Sequence, residues 1–98
     1  MPFLGIDVGT GGTRAVVVDK EGKVIASASS EHQPFRAPHP GWAEQDPKDW
    51  WRASHEAING AISAAVRASG EADAKIEAVG LTGQMHGAVM LDDGGDEL

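Results

Sequence analysis

An acidic side chain and a turn rich in glycine and threonine stand together near the start of this chain, in the sequence GIDVGTGGTRAVVVD of residues 5–19. Glycines let a backbone approach an anion closely, and unpaired N–H groups in a tight turn form an anion-binding concavity. Hydroxyl groups and an arginine fork add donors suited to phosphate oxygens. The segment therefore predicts a nucleotide-polyphosphate site, with Asp7 serving Mg²⁺ through water. The predicted phosphate-binding residues are Asp7, Gly9, Thr10, Gly11, Gly12, Thr13 and Arg14.

Each of these residues also has an ordinary structural explanation. Asp7 could accept hydrogen bonds from the N–H groups of its own turn. Arg14 could form a salt bridge with one of the many carboxylates of this acidic chain, and the threonines fit strand and turn propensity. An aspartate at the end of an apolar run costs stability unless its charge is used or paired. Both explanations stay open for each single residue, and the residues as a group favour phosphate binding.

Two better-known phosphate loops do not fit this segment. A Walker loop needs a lysine, then Ser or Thr, then a helix, whereas Thr13 and Arg14 occupy those two positions. The β-branched residues 16–18 that follow favour a strand. A dinucleotide-binding fingerprint would need a third glycine at Arg14 and again a helix behind it. We therefore predict a hairpin of strand, glycine turn and strand.

A second turn with chemical potential is GLTGQMHG at residues 80–87. Its three glycines bring backbone close to a ligand and leave Gln84, Met85 and His86 at the tip. Gln and His both donate and accept hydrogen bonds, which suits a polyol, and Met offers an apolar surface for the carbon side of a sugar. A single His or Met in a small domain is more often structural. Because ligands favour strand ends in α/β sheets, we predict a sugar-binding turn here.

The elements that position these turns follow the order βββαββ. We expect strands at 3–8, 15–18, 24–30, 76–81 and 88–91, with one helix from residue 47 to residue 69. A meander joined to a sheet that one helix crosses belongs to the α/β class. Residues 33–45 contain three prolines and are expected to form a loop from which Trp42 packs against the domain.

The helix has the clearest boundary signals. Asp46 can cap its first turn, Pro47 suits the first helical position, and Gly70 suits the end. The adjacent Trp50 and Trp51 diverge by about 100° on a helix, so only one of them can face the core fully.

Composition limits the classes of partner. The chain has 98 residues and a net charge of −7, which argues against nucleic acid and anionic membranes. It has no cysteine, and its histidines lack ligand spacing, so we expect no disulfide and no thiolate or histidine metal site. No apolar run approaches the roughly 20 residues that span a bilayer, and Met1 leads straight into the first strand without a signal peptide. We expect a cytoplasmic protein.

These segments together resemble the amino-terminal end of the FGGY family of carbohydrate kinases, in the actin-like ATPase superfamily. The resemblance covers nearly the whole chain and includes HPGWAEQDP at residues 39–47 and GLTGQMHGAVMLD at residues 80–92. The first hairpin is similar across the superfamily, while these two segments are more specific. The resemblance implies the first part of an actin-like, ribonuclease-H-like α/β domain. Residues 1–98 would then be a partial amino-terminal kinase domain, with the second lobe absent from this chain.

The resemblance also implies a reaction. The Met-His pair at the second turn is similar to that of xylulokinases, where glycerol kinases typically carry Arg-Glu. It implies phosphorylation of D-xylulose by ATP to xylulose 5-phosphate, with Met85 and His86 on the sugar and Asp7 at the Mg-ATP site. Thr10 and Arg14 match phosphate-contacting positions of glycerol kinases, although some xylulokinases have another residue in place of Arg14.

The resemblance implies that the catalytic base, an aspartate in this family, lies downstream of residue 98. We therefore expect no catalytic residue within this chain and no turnover from these 98 residues alone. Members are often dimeric, so a homodimer is a possible assembly. Two alternatives remain open: a non-catalytic nucleotide-binding module of the actin-like superfamily, or an inactive fragment.

Overall fold

A computed structural model of the chain describes residues 2–34, 36–70, 74–83 and 87–97. The described residues form one four-stranded sheet with a single helix across one face. The elements are β1 (Phe3–Val8), β2 (Gly12–Val18), β3 (Val24–Glu31), α1 (Pro47–Ser69) and β4 (Ala78–Gly83). The strands lie in the order β3-β2-β1-β4, with β4 parallel to β1 and the other pairs antiparallel. The predicted α/β class and the predicted meander are confirmed.

Two strands begin at different residues from those predicted. β2 begins at Gly12, three residues earlier than expected, because Thr13 and Arg14 already pair with β1. β4 begins at Ala78, where its parallel register with β1 starts, two residues later than the apolar pattern suggested. Pairing with a neighbour, rather than the apolar run itself, sets both boundaries.

The predicted fifth strand at residues 88–91 is wrong. Within the described ranges, this segment joins no strand and makes only an isolated bridge between Leu91 and Glu97. The bridge closes a turn in which the Asp92 side chain accepts two backbone amide hydrogen bonds. An apolar run becomes a strand only where another strand can share its hydrogen bonds, and this segment lacks that neighbour among the described residues.

Helix α1 begins and ends as predicted. The Asp46 side chain accepts a hydrogen bond from the backbone N–H of Lys48 at 2.9 Å, and Pro47 is the first helical residue. Gly70 has a left-handed φ of 72°, and its N–H donates to the Val66 carbonyl at 2.9 Å. That conformation favours glycine at a helix end. No helix in the described part of the chain is long and apolar enough to cross a bilayer.

The core between α1 and the sheet is built from small side chains. Its buried members are Leu4, Ala15, Val17, Ala57, Ala61 and Ala65. The mid-helix Gly60 lies so close to β3 that a Cβ placed on it would stand 2.9 Å from the Ala28 Cβ. Glycine lowers helix propensity by about 1 kcal/mol relative to alanine. Close packing of helix on sheet is the structural reason for Gly60.

The tryptophans on and before α1 differ in burial. Trp51 is 71% exposed and Trp50 is partly buried, so only one of the pair turns inward, as predicted. Trp42 does not pack against the domain as expected. It is 57% exposed, and its ring makes an edge contact with His39 at 4.5 Å between centroids.

Candidate functional site

Three polar residues lie side by side on neighbouring strands, close to the hairpin end of the sheet. Asp7 of β1 pairs with Arg14 of β2 on one side and with Thr82 of β4 on the other. Residues that are directly paired point to the same face, and alternate residues point to opposite faces. Leu4 is buried beneath α1, whereas Asp7 and Arg14 are exposed. The carboxylate, guanidinium and hydroxyl therefore share the face away from the helix.

This face carries an open cleft of about 370 Å³. Its floor is largely backbone, because Gly5 and Gly80 lie in register on neighbouring strands. The residues around the cleft are Gly5, Ile6, Asp7, Arg14, Val16, Gly80, Leu81 and Thr82. Thr82 was not among the site residues predicted from the sequence. Its place beside Asp7 depends on the parallel pairing of β1 with β4, which no local pattern encodes.

Asp7 and Arg14 are both available for a ligand. Among the described residues, neither side chain takes part in an ion pair or hydrogen bond. The described residues therefore show neither the turn hydrogen bond considered for Asp7 nor the salt bridge considered for Arg14. The described ranges also hold no group of three potential metal-binding side chains. A lone exposed carboxylate fits Mg²⁺, which keeps several waters and commonly binds through one carboxylate and substrate phosphates.

The β1–β2 hairpin turns beside this row of side chains. The last strand pair is Val8 with Thr13, and the Gly9 N–H donates to the Gly12 carbonyl at 3.0 Å. Thr10 and Gly11 form the exposed tip. None of these turn glycines has a left-handed φ. Glycine is required at position 12 for a steric reason instead, because a Cβ there would stand only 2.8 Å from the Ser30 carbonyl oxygen.

Thr13 does not present its hydroxyl to the cleft. Its side chain is fully buried on the α1 side of the sheet, with Oγ1 2.8 Å from Nε2 of His32 and 3.4 Å from Oγ of Ser54. The structure thus gives Thr13 a supporting place beneath the hairpin, and corrects the phosphate-facing hydroxyl that the sequence predicted. Arg14, the next residue, points to the opposite face, as strand alternation requires.

Two residues that the sequence analysis did not select contact the hairpin tip. The Gln45 side-chain amide donates to the Thr10 carbonyl at 2.8 Å, and Nδ1 of His32 lies 3.3 Å from the same oxygen. The backbone N–H of His32 donates to the Gly11 carbonyl at 2.9 Å. Gln45 belongs to the HPGWAEQDP segment, so the only sequence signal for it was the resemblance.

A buried carboxylate anchors the same region to α1. Asp49 accepts hydrogen bonds from Nε of Arg52 at 2.7 Å and from the backbone N–H of Gln33 at 2.6 Å. These bonds, the one from Arg52 first, hold the pKa of Asp49 below its ordinary value. The first turn of α1 is thereby tied to the segment that follows β3.

The second predicted site, Gln84, Met85 and His86, lies outside the described residues. The positions on either side of it are described. Gly83 ends β4 beside Val8, so the ends of two parallel strands meet at one edge of the sheet. A small cavity of about 180 Å³ opens there, lined by Val8, Trp50, Gly83, Gly87 and Val89. The hairpin and the start of the second turn therefore lie at the same edge, where α/β sheets commonly bind ligands.

Comparison with known proteins identifies relatives over almost the whole chain. The family model described as "FGGY family of carbohydrate kinases, N-terminal domain" matches residues 2–98. Xylulose kinase of Escherichia coli strain K12 is 38% identical over 92 residues, which cover 92% of this chain and 17% of that protein. Glycerol kinase of Methylorubrum extorquens is also 38% identical, over 87 residues that cover 89% of this chain and 16% of that protein.

A solved structure has the same fold over nearly the whole chain. The xyloylose kinase from Brucella ovis matches with a TM-score of 0.86 and 36% identity, covering 99% of this chain and 19% of that one. The predicted fold class, part of an actin-like ATPase domain, is confirmed. The chain spans less than a fifth of the length of these relatives.

Proposed function

This chain belongs to the FGGY family of carbohydrate kinases, and from that membership we propose that it forms the phosphate-binding part of an ATP-dependent sugar kinase. One observation carries the proposal. Asp7 lies exposed and unpaired among the described residues, in register with Arg14, at the base of a hairpin whose tip is open to solvent. A metal-bound polyphosphate requires a carboxylate for its metal ion, and a guanidinium and free backbone N–H groups for its phosphate oxygens.

In the proposed reaction, the guanidinium of Arg14 and the amides of the hairpin tip bind phosphate oxygens of ATP. Asp7 would hold Mg²⁺ through water, and the bound ion would neutralise phosphate charge. A sugar hydroxyl oxygen forms a bond to the γ-phosphorus while the bond from that phosphorus to the β-γ bridging oxygen breaks, and ADP leaves. The hydroxyl proton passes to a carboxylate base that the resemblance places outside this chain. Positioning and charge stabilisation supply most of the acceleration.

We propose D-xylulose as the sugar, with phosphate transferred to its terminal hydroxyl. Identity alone does not separate the candidates, because a xylulose kinase and a glycerol kinase are each 38% identical to this chain over the matched residues. The Met85-His86 pair supports xylulose, since glycerol kinases typically carry Arg-Glu at this turn. Gly83, which directly precedes this segment, lies beside Val8, at the same edge of the sheet as the hairpin.

The test measures MgATP-dependent phosphorylation by the full-length protein with D-xylulose, D-ribulose and glycerol. We expect the highest kcat/KM with D-xylulose and a product phosphorylated on its terminal carbon, identified by mass spectrometry and NMR. His86→Ala should weaken D-xylulose binding, while the exposed His55, whose ring contacts Trp51, provides the control His55→Ala.

The outcomes separate the alternatives. Preference for glycerol would overturn the choice of sugar but keep the kinase. Nucleotide binding without transfer to any of the three would support a non-catalytic nucleotide-binding module. The isolated 98 residues are expected to show no turnover, and formation of xylulose 5-phosphate by them would contradict that expectation.

A further inference from the structure

Two side chains hold the same carbonyl oxygen beneath the tip of the β1–β2 hairpin. The Gln45 amide reaches the Thr10 oxygen at 2.8 Å, and Nδ1 of His32 lies 3.3 Å from it. A carbonyl only accepts hydrogen bonds, so Nδ1 carries a proton and donates. The neighbouring Gly11 carbonyl is held by the His32 backbone N–H at 2.9 Å. Both tip peptides are therefore restrained through their carbonyls.

Restraining a carbonyl also orients the N–H group of the same peptide. The described chain has no cis peptide bond, and in a trans peptide the C=O and N–H point in opposite directions. Because the Thr10 carbonyl points toward Gln45 and His32, the Gly11 N–H points away from them, and so away from α1. Gly11 is exposed, and its N–H donates to no described residue. An oriented, unpaired donor is thus presented to solvent at the tip.

The two restraining side chains are themselves fixed by α1. Nε1 of Trp50 donates to the Gln45 side-chain oxygen at 3.1 Å. Nε2 of the buried His32 lies 2.8 Å from the Thr13 hydroxyl, which is in turn 3.4 Å from Ser54. With its protonated Nδ1, a neutral His32 would accept from Thr13 through Nε2. The start of the helix is therefore connected to the hairpin tip by continuous hydrogen bonds.

A glycine-rich turn without such support would sample many conformations and lose that freedom when a ligand binds. We propose that Gln45 is a positioning residue that, together with His32, presets the hairpin tip for the phosphates of the nucleotide. This role rests on the proposed function, since it concerns the same hairpin. Gln45 contacts no phosphate itself; it acts through the Thr10–Gly11 peptide. Preorganisation of this kind raises affinity by reducing the ordering that binding requires.

The test compares full-length wild type with Gln45→Met, which keeps the side-chain size and removes both polar contacts. Calorimetry measures the dissociation constants for MgATP and, separately, for D-xylulose. We expect MgATP binding to weaken about tenfold, as loss of one restraining hydrogen bond and of preorganisation would produce. Sugar binding should stay within about twofold. A merely structural role would lower the thermal midpoint without separating the two ligands.

Two Gln→Glu substitutions provide a matched pair. Gln45→Glu keeps an acceptor for Trp50 but places a carboxylate against the Thr10 carbonyl, so it should weaken MgATP binding at least as much as Gln45→Met. Gln33→Glu adds the same charge on an exposed side chain that bonds to no described residue, and should leave both affinities unchanged. If Gln45→Met does not fold, Gln45→Glu decides the question, because it retains the Trp50 contact.

Failure of the positioning role and failure of the proposed function give different results. Wild-type MgATP affinity in a folded Gln45 variant overturns the positioning role and leaves the proposed function intact. A wild-type protein that binds no MgATP overturns the proposed function, and the positioning role with it. An equal loss of affinity in Gln45→Glu and Gln33→Glu, together with wild-type affinity in the uncharged Gln45→Met, would assign the effect to charge alone and overturn the positioning role.

Discussion

Asp7 and Arg14 face each other across the β1–β2 pair, yet no ion pair joins their side chains. Directly opposed residues on antiparallel strands have Cβ atoms about 5 Å apart, close enough for opposite charges to attract. Both side chains instead remain exposed at the cleft. A carboxylate for a cation and a guanidinium for an anion are thus held side by side on rigid strands. In the proposed function, a metal-bound phosphate would contact both groups.

The first prediction concerns the Asp7 carboxylate. Asp7→Asn keeps the size of an exposed side chain, so the fold should persist. Loss of the negative charge should lower kcat/KM for MgATP by about 100-fold and raise the Mg²⁺ concentration needed for half-maximal rate. Initial rates across a Mg²⁺ series measure both quantities. Asp93→Asn, at an exposed carboxylate outside the cleft, serves as the control. Wild-type Mg²⁺ dependence in Asp7→Asn would remove this residue from the site.

The second prediction separates two neighbouring glycines. A Cβ at Gly12 would stand 2.8 Å from the Ser30 carbonyl oxygen, whereas a Cβ at Gly11 meets no atom within 4 Å. Gly12→Ala should therefore force β2 and β3 apart and lower the free energy of unfolding by about 1–3 kcal/mol. Gly11→Ala should change it little or stabilise by up to about 1 kcal/mol. Urea unfolding curves of the two variants compare these values directly. Equal destabilisation by both would contradict the packing explanation.

The third prediction concerns the contact between α1 and β3. Gly60→Ala improves helix propensity by about 1 kcal/mol, but its new Cβ would stand 2.9 Å from that of Ala28. Overpacking costs about 1–3 kcal/mol, so the variant should be less stable than wild type. Ala28→Gly removes the opposing methyl group, and the double variant should be more stable than the sum of the single changes implies. A double-mutant cycle from thermal unfolding measures this coupling. Simple additivity would show that the two residues do not compete for space.

The fourth prediction is a pH dependence that comes from Asp49. Its folded-state pKa is lowered, first by the hydrogen bond from the Arg52 side chain and then by the one from the backbone N–H of Gln33. Its unfolded pKa is about 3.9. The unfolded state binds the proton more readily, so the stabilisation is present above about pH 4 and is lost as pH falls toward the folded pKa. Asp49→Asn should be less stable than wild type near neutral pH, and the difference should narrow below about pH 4.

Denaturation midpoints measured from pH 7 to pH 3 test this window. Arg52→Gln removes the principal cause of the lowered pKa and should reduce the same pH-dependent component. A stability difference between wild type and Asp49→Asn that widens toward low pH would have the wrong sign and would contradict the assigned cause.

Local sequence signals predicted the parts of the fold that depend on neighbours in the chain. The Asp46 cap, Pro47 and Gly70 each satisfy the backbone at one helix end, so a few residues suffice to place α1. The first hairpin could be recognised for the same reason. The apolar run at residues 88–91 was misread because a strand also needs a partner, and the partner is not a local property.

The sequence alone determined which chemical groups are available to this protein: an acidic strand end, a glycine turn and a cation. It also indicated the family in which these features occur together. Tertiary structure decided which of those groups can act. Strand alternation directs Arg14 to the cleft and Thr13 to the core, and the parallel pairing of β1 with β4 brings Thr82 beside Asp7. Packing of α1 against the sheet places Gln45 and His32 beneath the hairpin. These relationships join residues far apart in the chain, so only the register of the sheet and the packing of the helix could establish them.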